Sequence, residues 1–234
     1  MIQLKSLLGI EFSAVSPREK LVSMIGGLIS ILFLTFVTEQ ALHLSGAEAV
    51  IASMGASAVL LFAVPHGQLS QPWPVLAGQV FPALIGVICA RWIPIPQLAA
   101  ALAVGLSIGM MHHLKCIHPP GGATALTAVL GGSPIHEMGF RFVIFPVLAN
   151  CLLMIGVAVA FNIFFGWRRY PAMLGQKEIP AAQDTPSHEQ IVEALKSIDT
   201  FIDISEEDLI RLSRHLAGGS RPAANSLRNA SSGS

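Results

Sequence analysis

Between Leu21 and Trp167 the only formally charged side chains are Glu39, Glu48, Arg91, Lys115, Glu137 and Arg141, and most of the residues between them are apolar. Water-soluble domains carry charge at about one residue in four. A stretch of this length with so little charge has no solvated face to offer and belongs in lipid. The whole chain agrees, at 53% hydrophobic and 12% charged, with a mean hydropathy of +0.63. Backbone in a bilayer has to satisfy its own hydrogen bonds, which a helix does within one segment. The expected fold class is therefore an all-α membrane protein, with the lipid bilayer as its first partner. Formal net charge is zero, so no basic footprint for nucleic acid exists. Cys89, Cys116 and Cys151 are far apart in apolar surroundings, as reduced core residues are and a disulfide framework is not.

The polar ends set the domain expectation: a cytoplasmic N-terminal segment at 1–20, the membrane domain at 21–167, a cytoplasmic linker with short helices at 168–217, and a disordered tail at 218–234. In the linker region Ile191, Leu195, Ile198 and Phe201 recur at helical spacing, and Ser205 with Glu206 and Glu207 opens a second short helix.

A crossing helix needs about 20 apolar residues. Leu21–Val37, Trp73–Ala90, Ile95–Met111 and Phe140–Trp167 approach or meet that length. Ala47–Val64 carries Glu48 and a run of small residues, and Pro120–Gly132 is too short to cross unaided. These two open alike, as GASAVLLFAV from Gly55 and GATALTAVLG from Gly122, and downstream PVLAGQVFPALIGV from Pro74 parallels PVLANCLLMIGV from Pro146. A unit of about seventy residues thus occurs twice. The expectation is two tandem repeats of span, short broken or half-helix, span, giving four full spans plus two short segments, or six spans. Either count puts both ends on one side, which Lys5, Arg18, Lys20, Arg168, Arg169 and Lys177 mark as cytoplasmic. Arg91 favours four spans and Lys115 six, so the number stays open. Gly105 and Gly109 form a GxxxG pair that needs a close helix partner. A neighbour in the same chain is the default, with a homo-oligomer as the alternative.

The run CIHPPGGATAL, Cys116 to Leu126, breaks the apolar pattern. Pro119 and Pro120 have no amide to give and suit a first helical turn, while His118 before them is pushed towards extended backbone. A helix is expected from about Pro119, with the amides of Gly121, Gly122 and Ala123 free at its start. Such an end carries about half a positive charge and attracts anions. The repeat offers a second break at Gly55, Ala56 and Ser57, followed by the polar loop that holds Gln71. Ser57 and Thr124 occupy matching positions and have hydroxyls that can donate to a small inorganic anion, although hydroxyls in membrane helices often bond back to their own turn. His118 adds a titratable donor. The candidate binding set is His118, Pro119, Pro120, Gly121, Gly122, Ala123, Thr124, Gly55, Ala56, Ser57 and Gln71. His112, His113 and Lys115 read as a basic vestibule; with Cys116 they have no nearby carboxylate, and neither a metal nor a cofactor is expected. No Asp lies between Leu21 and Trp167 and no catalytic motif is present, so the chain is not expected to be an enzyme.

The strings HPPGGATAL, GASAVLLFAVP with QPWPVLAGQ, and FPVLAN resemble the HPP family of integral membrane proteins over about Leu21 to Trp167. The resemblance implies four spans and nitrite as a substrate, since some plastid and cyanobacterial members are assigned to its transport. As in many bacterial members, it also implies a cytoplasmic pair of CBS domains, to which 168–217 looks like the linker. The expected function is transport of a small monovalent anion, nitrite first, in a bacterial inner membrane. Moving such an anion against an inside-negative potential costs about 2.3 kcal/mol per 100 mV, and proton coupling through His118 would offset it. The alternative is a membrane sensor or scaffold that signals through the C-terminal region.

Overall fold

The computed structural model describes residues 15–42, 47–168 and 170–175. Among them the secondary structure is helical throughout, without a strand. The helices are α1 (Pro17–Leu42), α2 (Ala47–Ala63), α3 (Pro72–Trp92), α4 (Pro96–His113), α5 (Pro120–Leu130), α6 (Gly132–Met138) and α7 (Ala149–Asn162). Four of them open on a proline, whose fixed φ suits the first turn and whose missing amide costs nothing there. A π-helical turn at Val143–Leu148 leads into α7, with non-helical backbone at Phe145 just ahead of Pro146. The linker, helix and tail expected between 176 and 234 lie outside the described residues.

Three stretches are long and apolar enough to cross a bilayer: Pro17–Gln40, Pro72–Trp92 and Val143–Asn162. The expected span at Ile95–Met111 is helical as α4, but Gln97, His112 and His113 lower its hydropathy and it is not one of the three. Helices α2 and α5, at 17 and 11 residues, extend about 25 and 16 Å against a hydrocarbon core of about 30 Å.

Contacts between helix ends define two faces of the bundle. On one, Trp73 Nε1 at the start of α3 donates to the Leu114 carbonyl after α4, at 3.1 Å. Arg168 there joins Glu19 and Ser23 of α1 to the Phe62 carbonyl at the end of α2. On the other face, the Arg91 guanidinium at the end of α3 lies 5.9 Å from the ring centroid of Phe140. Also towards that face, Thr38, late in α1, donates to Asn150, early in α7, at 3.2 Å. Helices α1, α2, α3, α4, α5 and α7 therefore run in alternating directions.

Helix α3 is the axis, with half of its membrane window buried inside the protein, against 28% and 33% for the other two long spans. Its closest neighbour is α5, and glycines make that approach. A Cβ at Gly121 would stand 1.7 Å from the Gly78 carbonyl oxygen, and one at Gly86 would stand 2.6 Å from the Ala125 carbonyl oxygen. Without side chains the two backbones touch, which is how helices associate in lipid. Leu21, Met24, Leu28, Leu32 and Phe36 on α1 are exposed and form its lipid-facing stripe. The Gly105/Gly109 pair also points outward, with open space where each side chain would be, while Ala99, Ala103 and Ser107 face the bundle. The GxxxG pair therefore has no partner among the described residues of its own chain, contrary to the default.

Helix α4 ends in a tight reversal. Cys116 N–H reaches back to the Met111 carbonyl and Lys115 N–H to that of His112, the six-to-one and five-to-two pair that closes a helix around a left-handed residue. Lys115 takes that conformation at φ 53, and the turn delivers His118 to the bundle interior.

Candidate functional site

Gln79 is an uncharged amide in the middle of the apolar helix α3, and it is fully buried. An amide at that depth has to find donors and acceptors in neighbouring helices. Its Nε2 donates to Ser57 Oγ on α2 at 2.9 Å, and its Oε1 accepts from Thr124 Oγ1 on α5. Thr124 also lies 3.0 Å from Ser53 Oγ on α2. His118 completes the group, with Nε2 2.8 Å from Ser57 Oγ and Nδ1 2.9 Å from the Leu69 carbonyl. Ser53, Ser57, Gln79, His118 and Thr124 are each at most 2% exposed.

The donor inventory orients this chain of bonds. A carbonyl only accepts, so His118 Nδ1 carries the proton towards Leu69 and Nε2 accepts from the Ser57 hydroxyl. Ser57 oxygen in turn accepts from Gln79, and Gln79 accepts from Thr124. Ser57 Oγ also lies 3.3 Å from the Ser53 carbonyl, a second acceptor for the same hydroxyl. Among the described side chains, the hydrogen bonds that join Ser57, Gln79, His118 and Thr124 involve no charged group.

Of the residues expected to act, His118, Thr124 and Ser57 meet here. Helix α5 begins at Pro120 with Pro119 at its cap, and the amides of Gly121 and Gly122 donate to the His118 and Pro119 carbonyls at 2.9 and 3.0 Å. The polar reach of this helix start therefore comes from side chains. Gly121 is spent on the contact with α3, whereas Gly122 has open space beside it and Ala123 is exposed. Helix α2 runs unbroken through Gly55, Ala56 and Ser57, so Gly55 and Ala56 offer no helix end and only the Ser57 hydroxyl takes part. Gln71 lies outside the cluster: its Nε2 donates to the Pro65 and Gly67 carbonyls, and its Oε1 accepts from Ala172 N–H at 3.0 Å. His112 and His113 are exposed at the end of α4 while Cys116 is buried, so the three do not converge. Gln79 and Ser53 are the members that sequence reasoning missed; the legible signal was a lone amide inside a span.

Asn150 on α7 is a second buried amide. Its Oδ1 accepts from Thr38 Oγ1, but its Nδ2 has no hydrogen-bond partner.

At the histidine face Arg168 is buried to 1% exposure. Its Nε donates to Asn162 Oδ1 at 3.0 Å and its two Nη groups reach Glu19, Ser23 and the Phe62 carbonyl. Burial pulls this guanidinium below its ordinary pKa and the Glu19 carboxylate pushes it back. Two residues on, Tyr170 donates its hydroxyl to the Ser70 carbonyl at 2.9 Å.

Fold and site together define a polytopic helical membrane protein with an uncharged polar centre shared by three helices. The family described as HPP, transmembrane region, matches residues 12–171, and the chain belongs to it. Two Dictyostelium discoideum transmembrane proteins are similar. One is 38% identical over 128 residues, 53% of this chain and 45% of the relative; the other is 38% identical over 126 residues, 52% and 40%. The chain thus matches less than half the length of these curated relatives. No solved structure matches it.

Proposed function

We propose that this protein carries a small monovalent anion across the membrane, nitrite being the first candidate, with a proton handled by His118. The observation that carries the reading is the Ser53–Ser57–Gln79–His118–Thr124 cluster at the start of α5. It brings hydroxyls, an amide and an imidazole together where lipid-exposed polar groups would be costly. Each hydroxyl can turn its proton towards a ligand, and Ser57, Gln79, His118 and Thr124 bring no negative charge to repel an anion. The bonds close on themselves in this conformation, so α2 has to part from α3 and α5 to admit one.

The helix neighbours support an inverted pair of three-helix repeats, α1–α2–α3 and α4–α5–α7. Helix α1 packs on α2 as α4 packs on α5, and α1 on α7 as α3 on α4. That layout is the one in which transporters place sites between the halves. Arg18, Lys20, Lys115 and Arg168 at the histidine face support a cytoplasmic location for it and for both ends, a bacterial inner membrane being the expectation carried over from the resemblance. The outward glycine face of α4 is where a second copy would pack.

The test is nitrite uptake into proteoliposomes holding the full chain. Uptake should exceed that of empty liposomes and rise when the outside is made more acidic than the lumen. Uptake indifferent to the pH gradient removes the proton, and none above the empty liposomes removes the transport reading. One observation favours a second reading, a sensor signalling through the C-terminal region: the chain leaving α7 is tied into the loop that touches His118. That reading expects specific binding without flux.

A further inference from the structure

The cluster receives its histidine tautomer from outside the membrane helices. Leu69 supplies the carbonyl that holds the proton on His118 Nδ1, and it lies in the 65–71 connection between α2 and α3. That connection is pinned at several points. Ser70 Oγ donates to the Leu60 carbonyl at 2.9 Å, and Gln71 Nε2 donates to the Pro65 and Gly67 carbonyls at 3.0 and 2.9 Å. Two further pins come from the segment that follows α7: the Tyr170 hydroxyl on the Ser70 carbonyl and the Ala172 amide on Gln71 Oε1. Both reach the residues directly after Leu69. The segment itself is anchored by the buried Arg168, whose bonds to α1, α2 and α7 leave its backbone little room to shift.

We propose that Arg168, Tyr170 and Ala172 form a positioning strap for His118: by holding Ser70 and Gln71 they fix the Leu69 carbonyl, and through it the imidazole tautomer that faces Ser57. Tyr170 and Gln71 are thus positioning residues, acting through a carbonyl they do not themselves supply. A displacement of the chain beyond α7 is read at the cluster as a change in which ring nitrogen holds the proton. The groups around the imidazole are Ser57 on α2, Gln79 on α3 through Ser57, the Met111 sulfur on α4, 3.5 Å from His118 N, and the Leu69 carbonyl, none of them charged. Burial keeps the Tyr170 phenol protonated by pushing its pKa up, so the strap holds across the physiological range. The part concerning flux rests on the transport reading above; the tautomer does not.

The experiment labels the histidines of the full chain with ¹⁵N, reconstitutes it in lipid, and assigns His118 by comparison with His118→Gln. The wild type should show Nδ1 protonated and Nε2 bare. Tyr170→Phe keeps the ring and removes the one hydroxyl; a lost hydrogen bond of ordinary strength shifts such a ratio about fivefold towards the Nε2 proton. Gln71→Met, which cuts the Ala172 tie and the two donations inside the loop, should shift it the same way and serves if the tyrosine variant does not fold. Gln71→Glu keeps an oxygen to accept from Ala172 N–H but removes the two donations, and should leave the ratio closer to wild type than Gln71→Met. Nitrite flux should fall with the tautomer. If Tyr170→Phe and Gln71→Met lower only the melting temperature and leave the His118 nitrogen signals unchanged, the segment is a structural staple and the proposal is overturned. Absence of flux in the wild type would end the transport reading while the nitrogen signals still decide the strap.

Discussion

Two buried amides inside the long spans, Gln79 on α3 and Asn150 at the start of α7, fare differently; Asn162, the other buried amide of α7, is bonded to Arg168 and to its own helix at Ala158. Gln79 on α3 is bonded through both its atoms, to hydroxyls of α2 and α5, whereas Asn150 on α7 accepts from Thr38 and leaves its nitrogen without a partner. The backbones differ as well. Helix α3 touches α5 through glycines, while α7 enters through a π-helical turn with non-helical backbone at Phe145. One crossing is closed by hydrogen bonds and backbone contact together; the other has slack. On the proposed transport reading the chemistry belongs at the closed crossing, where donors and acceptors are ordered.

The comparison breaks most severely at Gly121. Valine there would drive its Cβ into the Gly78 carbonyl, and no helix shift short of separating α3 from α5 accommodates it. Gly121→Val should yield no monodisperse protein in detergent. Gly122→Leu, one residue on, points into open space and should purify and melt like the wild type; a collapse equal to that of Gly121→Val would mean that the α3–α5 contact is not what Gly121 serves.

Next in size is Gln79→Leu, which strips two hydroxyls of their partner and should cost about 1–3 kcal/mol. Asn150→Leu removes an amide whose nitrogen already lacks a partner, and Thr38 can turn back to its own helix. It should change stability by less than about 1 kcal/mol. Thermal melting of the two variants side by side checks the contrast, and equal losses would mean that the two crossings do not differ.

The membrane class, the broken backbone at HPPGG and the meeting of Ser57, Thr124 and His118 were legible, because apolar length, proline placement and matched hydroxyls are local properties. Gln79 was signalled only as a lone amide in the apolar run PVLAGQVFPALIGV; its partners appear only when three helices are assembled. The direction of the α4 glycines was hidden for another reason. Small residues line both faces of that helix, Ala99, Ala103 and Ser107 inward and Ala101, Gly105 and Gly109 outward, so no period distinguishes them. Gly55 and Ala56 looked like a second helix end because they copy Gly122 and Ala123, but no proline precedes them and α2 simply continues.

The smallest effect concerns how His118 is delivered to the closed crossing. Lys115 holds a left-handed backbone at the end of α4, which glycine adopts without strain. Lys115→Gly should raise stability by about 0.5–1 kcal/mol, measured as a higher melting temperature; a lower one would mean that the lysine side chain, rather than the turn, holds the reversal.

The central claim is that the closed crossing moves an anion together with a proton held by His118. Its most direct test is the initial rate of nitrite uptake as a function of external pH, for wild type and His118→Gln reconstituted at equal amounts. Glutamine keeps a buried donor and acceptor but cannot titrate. The wild-type rate should rise as the outside is acidified, and the variant should take up nitrite more slowly at a rate that no longer follows pH. An equally steep pH dependence in both proteins would contradict the claim.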